Sequence, residues 1–402
     1  MKEIILLKNG EIALKGLNRA TFEDVLVKNM RRRIEPLGKF AIRKAQSTIY
    51  VEPKDESVDI GEAFARLRKV FGVAALARAC VVEKDLEEIK RTAASYLEDD
   101  LLTAKSFKVA AKRSDKKFAY NSPEICREVG GYLLSRFPHL HVDVHEPQVI
   151  VEIEVRDFGA YIHAAQTPGA GGMPVGTSGK AMLLVSGGLD SPVACYMMAK
   201  RGLQIDAVHF VSPPYTSERA KLKVIDLLRQ LSGYCGTINL MVVPFTELQE
   251  RIRDNCPEDL FTIIMRRCMM RIAERLAEQR GCAALITGES LAQVASQTLP
   301  AIVCTDAAAN MPVFRPLIGM DKEEIVRIAR QIGTFEISIQ PYEDCCTVFT
   351  PKHPRTRPNL QLIETGEQNL NADELIERAI AGTERLRIDS IGGSFPENSL
   401  LR

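Results

Sequence analysis

Ala181-Met-Leu-Leu-Val-Ser-Gly-Gly-Leu-Asp-Ser-Pro-Val-Ala-Cys-Tyr-Met-Met-Ala-Lys-Arg201 is the stretch whose reading decides the fold of this chain. Its first five residues are an uninterrupted apolar run, as in a strand buried on both faces, and its last ten space apolar residues as a helix does. Between them lies the turn Ser186-Gly187-Gly188-Leu189-Asp190-Ser191. Two glycines let backbone amides approach an anion, Ser186 and Ser191 add hydroxyl donors, and Pro192 suits the first turn of a helix whose N-terminus favours negative charge. The turn therefore predicts a phosphate cradle. It lacks the Gly-Lys-Ser/Thr ending of a Walker loop and is not a dinucleotide Gly-x-Gly-x-x-Gly. The competing reading is a glycine-rich strand-to-helix turn without a ligand.

At 402 residues the chain exceeds one ordinary core, so two or three domains are expected. A formal charge of +1 excludes a globally basic protein but says nothing about local patches. No run approaches about 18 apolar residues and no basic-apolar-small start is present, so neither a membrane partner nor a secretory signal is predicted, and a cytoplasmic location is expected. Ten cysteines are scattered without a C-x-x-C pair, so most should be buried thiols. The exception is the vicinal pair Cys345-Cys346. His139, His141 and His145 alternate along a strand-like stretch and are expected to be exposed rather than metal ligands.

Residues 1–84 predict a ferredoxin-like domain in βαββαβ order, with strands near 2–7, 40–43, 48–52 and 74–82 and helices starting at Thr21 and near 61. Over residues 1–50, 11 Lys/Arg stand against 5 Asp/Glu, a modest excess that a solvated face would also show. Residues 85–168 predict a second unit: an amphipathic helix over 86–101, a strand over 106–112, a helix over 124–137 and strands over 141–144, 149–155 and 159–163. Lys105, Lys108, Lys112, Arg113, Lys116 and Lys117 gather there beside Phe118 and Tyr120. Such a run can neutralise phosphates and stack on bases, although solvated strands and loops look the same. Glycine-rich residues 169–178 read as a linker. From 179 to 402, short apolar strands alternate with amphipathic helices, which predicts right-handed crossovers and a doubly wound parallel sheet. The fold class is thus a multidomain chain of α/β and α+β parts. Ligands of such sheets lie beyond the carboxyl ends of the strands, where 186–191, His209-Phe210 and Gly288-Glu289 are the candidates. A helical pattern at 372–381 precedes an unassigned tail.

The Ser-Gly-Gly-x-Asp-Ser turn resembles the loop of the ATP pyrophosphatases, or PP-loop enzymes, which split ATP into AMP and pyrophosphate. Four further stretches extend the resemblance: Gly10-Glu-Ile-Ala-Leu-Lys-Gly-Leu-Asn-Arg19, His209-Phe-Val-Ser-Pro-Pro-Tyr-Thr-Ser-Glu-Arg219, Thr287-Gly-Glu-Ser-Leu-Ala-Gln-Val-Ala-Ser-Gln-Thr298 and Arg315-Pro-Leu-Ile318. With them, nearly the whole chain resembles the tRNA 4-thiouridine synthetase family, also called tRNA uridine 4-sulfurtransferase or ThiI. The resemblance implies a ferredoxin-like domain, a THUMP RNA-binding domain and a PP-loop domain, with tRNA as partner and ATP and Mg2+ as cofactors. It implies a transferase that adenylates the 4-carbonyl of uridine 8 and then lets sulfur displace AMP. Leu184, Val185, His209 and Phe210 would line the adenine site. Ser186, Gly187, Gly188, Asp190 and Ser191 would hold the phosphates, and Arg266, Gly288 and Gln297 would complete the pocket. Asp190, in a loop otherwise built for anions, is better explained by the magnesium of Mg-ATP than by direct phosphate contact. Arg266 also reads as surface charge on the helix over 260–280. Lys322 either stabilises charge on phosphate or caps the helix starting at Asp321.

Sulfur transfer needs a thiol that carries a persulfide and reacts as thiolate. Tyr342-Glu-Asp-Cys-Cys-Thr-Val-Phe-Thr-Pro351 resembles the family's cysteine-bearing segment, and on that match Cys346 is the catalytic cysteine. Neighbouring acids oppose its ionisation, so activation is expected from Lys352, Arg355 or bound tRNA. A buried structural pair is the competing reading. The sequence stops at Arg402 without the rhodanese-like domain of longer members, so the persulfide is expected directly from a cysteine desulfurase or another carrier, and Cys345 or a free thiol is left to resolve the disulfide. A homodimer and sulfur transfer to a thiamine-pathway carrier protein are further implications of the resemblance. The rival readings are another adenylating PP-loop enzyme and a non-catalytic RNA-binding protein.

Overall fold

The computed structural model describes the chain except residues 46, 343, 346–347, 391–392 and 397–402, and of 393–396 it describes the backbone alone. The chain divides into two compact units, Met1–Gly172 and Met173–Arg402.

The first unit opens with β1 (Lys2–Asn9), α1 (Arg19–Ile34), β2 (Phe40–Ala45), β3 (Thr48–Pro53), α2 (Ile60–Arg68) and β4 (Val73–Val82). The antiparallel order β2-β3-β1-β4 is the ferredoxin-like arrangement. Ile4, Ile5, Leu6 and Leu7 are all buried, which is why β1 reads as a continuous apolar run. α1 starts earlier than the sequence suggested. Asn18 occupies its N-cap and Thr21 lies inside it, because two 3-10 turns, Glu11–Leu14 and Gly16–Asn18, lead straight into the helix. Gly16, at φ +52°, supplies the turn between them.

The unit continues through α3 (Leu86–Tyr96), α4 (Glu98–Thr103), β5 (Ser106–Arg113), α5 (Ser122–Arg136), β6 (His141–Val142), β7 (Val149–Arg156), β8 (Gly159–His163) and β9 (Thr167–Pro168). The helix expected over 86–101 is two. Leu97 leaves helical geometry, and Glu98, Asp99 and Asp100 then begin a new first turn where the helix dipole favours acids. β8 pairs antiparallel with both β4 and β7, so the two halves share one sheet, β2-β3-β1-β4-β8-β7-β5-β6 among the described residues. Lys8 Nζ of β1 reaches Thr48 Oγ1 of β3 and Glu154 Oε1 of β7, each at 2.9 Å. Burial pushes the Glu154 carboxyl up, but His163, Lys8 and Arg156 outweigh it and hold the group well below the usual carboxylate range.

The second unit runs β10 (Lys180–Leu184), α6 (Asp190–Lys200), β11 (Gln204–Val211), α7 (Glu218–Cys235), β12 (Ile238–Pro244), α8 (Thr246–Asn255), α9 (Phe261–Gln279), β13 (Leu285–Ile286), α10 (Leu299–Asp306), β14 (Val313–Phe314), α11 (Lys322–Gln331), α12 (Phe335–Ser338), α13 (Leu360–Glu367), α14 (Ala372–Ala381), β15 (Glu384–Asp389) and β16 (Gly393–Pro396). Its sheet has the order β14-β13-β10-β11-β12-β15-β16; β14 to β12 are parallel, and β15 and β16 antiparallel. The chain goes from β10 outward to β12 and then returns to β13 on the other side of β10. That reversal opens a crevice at the carboxyl ends of β10 and β13. The tail hides two strands, since β15 carries charged residues and buries only Leu386 and Ile388. No described helix is long and apolar enough to cross a membrane.

Candidate active site

The turn after β10 is closed from within. The Ser186 amide donates to Ser191 Oγ at 3.0 Å, and the Ser191 hydroxyl donates to the Ser186 carbonyl at 3.2 Å. Ser191 is buried, so its hydroxyl shapes the loop. The Gly187 amide faces Asp344, whose two carboxylate oxygens stand 2.9 and 3.0 Å away. Gly288 is demanded by packing: a Cβ there would fall 2.7 Å from the Ser191 amide nitrogen, so the chain after β13 presses directly on the first turn of α6.

A cavity of about 170 Å³ opens at this switch point. Leu184, Val185, Ser186, Asp190, Ser191, His209, Phe210, Arg266, Gly288 and Gln297 all line it, whereas Gly187 and Gly188 lie outside the lining. Met269, Met270, Thr287 and Asp344, which the sequence reading did not single out, complete it together with Glu289 and Cys345. The methionines had a signal. They follow Arg266 at i+3 and i+4 on α9, which places all three on one helix face.

His209 is buried, and its Nδ1 lies 3.1 Å from the Val185 carbonyl. A carbonyl only accepts, so Nδ1 carries the proton and Nε2 keeps its lone pair. Burial pushes the imidazole pKa below its ordinary value, against the pull of Asp344, and the ring is neutral at physiological pH. Glu289 is buried between two cations. It pairs with Arg266, takes Arg315 Nε at 2.8 Å and accepts the Thr287 hydroxyl at 2.8 Å. Burial pushes its carboxyl up, and Arg266 and Arg315 outweigh that, leaving it below the usual range. Arg266 is therefore pinned at the cavity wall. Its Nε, Gln297 Oε1 and one terminal nitrogen of Arg315 are buried without hydrogen-bond partners among the described residues, which leaves donors and an acceptor for an incoming polar group.

Asp190 is held at both oxygens, by Lys322 Nζ at 2.9 Å and Gln293 Nε2 at 2.9 Å. Asp321, with Glu324, forms the capping box of α11, so the cap is not the work of Lys322, whose ammonium goes to Asp190 instead. Cys346 lies outside the described residues. Its neighbour Cys345 is buried in the apolar core, and Gln249 Nε2 donates to its carbonyl at 2.8 Å. Of the cations expected to activate the thiol, Arg355 is engaged by Asp259 at 2.7 Å, and Lys352 is exposed.

In the first unit, the basic run divides. Arg113 donates to the Phe118 carbonyl at 2.8 Å, Lys108 to the Val144 carbonyl at 3.4 Å, and Lys112 pairs with Glu152 at 3.5 Å. Lys105, Lys116 and Lys117 are exposed, with no side-chain hydrogen bond or ion pair among the described residues. His139, His141 and His145 are all exposed, as expected, and an imidazole nitrogen of His139 lies 3.1 Å from the Leu101 carbonyl. By distance, Glu152, Glu154 and His163 could hold a metal, but Lys8 and Arg156 already neutralise Glu154.

Residues 4–77 match the ThiI ferredoxin-like domain, 83–164 the THUMP domain, and 176–372 the family described as thiamine biosynthesis protein (ThiI). A protein of Acetivibrio thermocellus named "Probable tRNA sulfurtransferase" is 53% identical over 390 residues, covering 96% of this chain and 99% of the relative. The chain belongs to the ThiI family of tRNA sulfurtransferases. A second ThiI relative of the same name, from Caldanaerobacter subterraneus, is 50% identical over 377 residues, covering 94% of this chain and 98% of its own length. A solved 4-thiouridine synthetase–RNA complex with bound ATP is similar at a TM-score of 0.89 and 39% identity, over 96% of this chain and 100% of that one. The ThiI fold thus extends through both units of the chain.

Proposed function

We propose that this chain is a tRNA uridine 4-sulfurtransferase, which adenylates the 4-carbonyl oxygen of uridine 8 with ATP, releases pyrophosphate, and lets sulfur carried by Cys346 displace AMP. One observation carries the reading: Ser186, Asp190 and Ser191 of the loop, the Arg266–Glu289 pair and Cys345, the neighbour of Cys346, line one cavity at the sheet's switch point. The family membership supports it, as does the likeness to a relative solved with ATP and RNA.

The enclosed space is smaller than the roughly 300–1,000 Å³ of typical small-molecule sites. It suits a base, with the triphosphate on the open rim at 186–191. Phe210 and Met270 offer apolar surface to adenine, and the unpartnered Arg266 Nε and Gln297 Oε1 offer polar contacts. As pyrophosphate leaves, charge builds on phosphate oxygens, and Lys322 is already held beside the loop by Asp190, so little reorganisation is needed. Asp190 also fits a magnesium role, since two hydrogen bonds leave about two of its four lone-pair directions free and one carboxylate plus phosphates is an ordinary Mg2+ setting. Bound there with ATP, the ion would neutralise phosphate charge.

In the second half-reaction a cysteine desulfurase loads Cys346 with a persulfide. Its terminal sulfur attacks C4, the C4–O bond to AMP breaks, and a second thiol, Cys345 or an external one, then takes the Cys346 sulfur as a disulfide and frees the thiocarbonyl. Lys105, Lys116 and Lys117 neutralise tRNA phosphates in this reading. Cys346→Ser, incubated with tRNA and Mg-ATP, is expected to release pyrophosphate but to add no sulfur. Thiolation by that variant would overturn the assignment.

A further inference from the structure

We propose that Asp344 is a tethered stand-in for phosphate: it occupies the Gly187 amide of the PP loop, and the arriving pyrophosphate portion of ATP displaces it. The inference deepens the ATP reading above and rests on it.

The Gly187 amide is an anion donor in a loop built for phosphate, and it is already taken by both oxygens of a carboxylate. The fit is close, since a Cβ on Gly187 would stand 3.3 Å from Asp344 Oδ1 and 3.3 Å from the Cδ and Cε of Lys223. Lys223, on α7, is buried against the same loop, and its Nζ donates to the Gln340 carbonyl at 2.8 Å. It therefore staples the chain leading into Asp344. Its charge also faces Asp344, and once the carboxylate leaves it faces the incoming phosphate instead. Asp344 and Asp190 line the same cavity, so phosphate oxygens entering beside both would meet two negative groups. Asp190 is held by Lys322 and Gln293, whereas Asp344 stands on the loop amide itself, where phosphate competes with it directly. Cys346 is two residues further on in the sequence, so the carboxylate that gives way to pyrophosphate belongs to the stretch that carries the reactive cysteine. The sequence alone conceals this contact because 157 residues separate its partners.

The test uses the full-length protein and Mg-pyrophosphate, with binding followed by calorimetry and the peptide over 340–350 by hydrogen exchange. In the wild type, Mg-pyrophosphate is expected to speed exchange in that peptide several-fold. Asp344→Ala removes the competitor, so it should bind Mg-pyrophosphate about tenfold more tightly and exchange fast without it. Asp344→Asn keeps the shape and one acceptor but loses the charge, and should fall between the two. Weaker binding by Asp344→Ala would overturn the proposal and make Asp344 a magnesium ligand. Unchanged exchange in a wild type that binds would overturn this inference alone, and failure of all three proteins to bind would overturn the nucleotide reading with it.

Discussion

Glu289 keeps the Arg266 charge from standing unpaired at the cavity wall and pairs with Arg315 behind it. Glu289→Gln preserves the shape but strands Arg266, while Arg315 keeps Asp306 at 3.1 Å, at a cost of about 3 kcal/mol, the lower end for breaking a buried pair because Arg266 keeps 23% of its side chain exposed. Urea unfolding should show that loss, and ATP binding should weaken with it. His209 contributes a pH dependence of definite sign. Its pKa in the fold lies below the ordinary 6.5, so as pH falls the unfolded chain takes up the proton first. The stability from the neutral ring is present above pH 6.5 and is lost below it. Unfolding free energy should therefore drop between about pH 7 and 5.5, and His209→Gln should flatten that drop. Asp190→Asn removes the charge that holds Lys322, and pyrophosphate release should fall by at least about 100-fold with stability retained. Much at this scale was legible in the sequence, because Ser186, Asp190 and His209 lie in compact motifs. Glu289's double pairing and Asp344's contact were not, since their partners come from distant parts of the chain.

Among the elements, the parallel strands and their crossovers could be read from the alternation of apolar runs and amphipathic helices. β15 and β16 could not, because a strand with only two buried side chains carries little apolar signal and β16 is four residues long. The break between α3 and α4 was equally hidden, since Leu97 is itself apolar and buried and the periodicity runs through it. Gly288 looked like a ligand position, and the structure adds a packing reason for it. Gly288→Ala would push a Cβ into the amide of Ser191 and shift the start of α6, which should cost about 1–3 kcal/mol and loosen pyrophosphate binding. Thermal unfolding and calorimetry on that variant measure the two effects separately.

For the molecule as a whole, the chain pairs a basic, aromatic-bearing stretch in its first unit with a base-sized cavity in its second. The near-neutral total charge conceals the first, because acids elsewhere balance it. Changing Lys105, Lys116 and Lys117 together to Ala should weaken tRNA binding and lower the slope of log affinity against log salt by about 2–3, leaving tRNA-independent ATP binding intact. An unchanged slope would remove these lysines from the interface. The most direct test of the function is mass analysis of tRNA incubated with the full-length protein, Mg-ATP, cysteine and a cysteine desulfurase. The result predicted is one sulfur gained for one oxygen at a single uridine, position 8, dependent on ATP. A tRNA bound by the protein but unchanged in mass, or sulfur at another nucleotide, would contradict it.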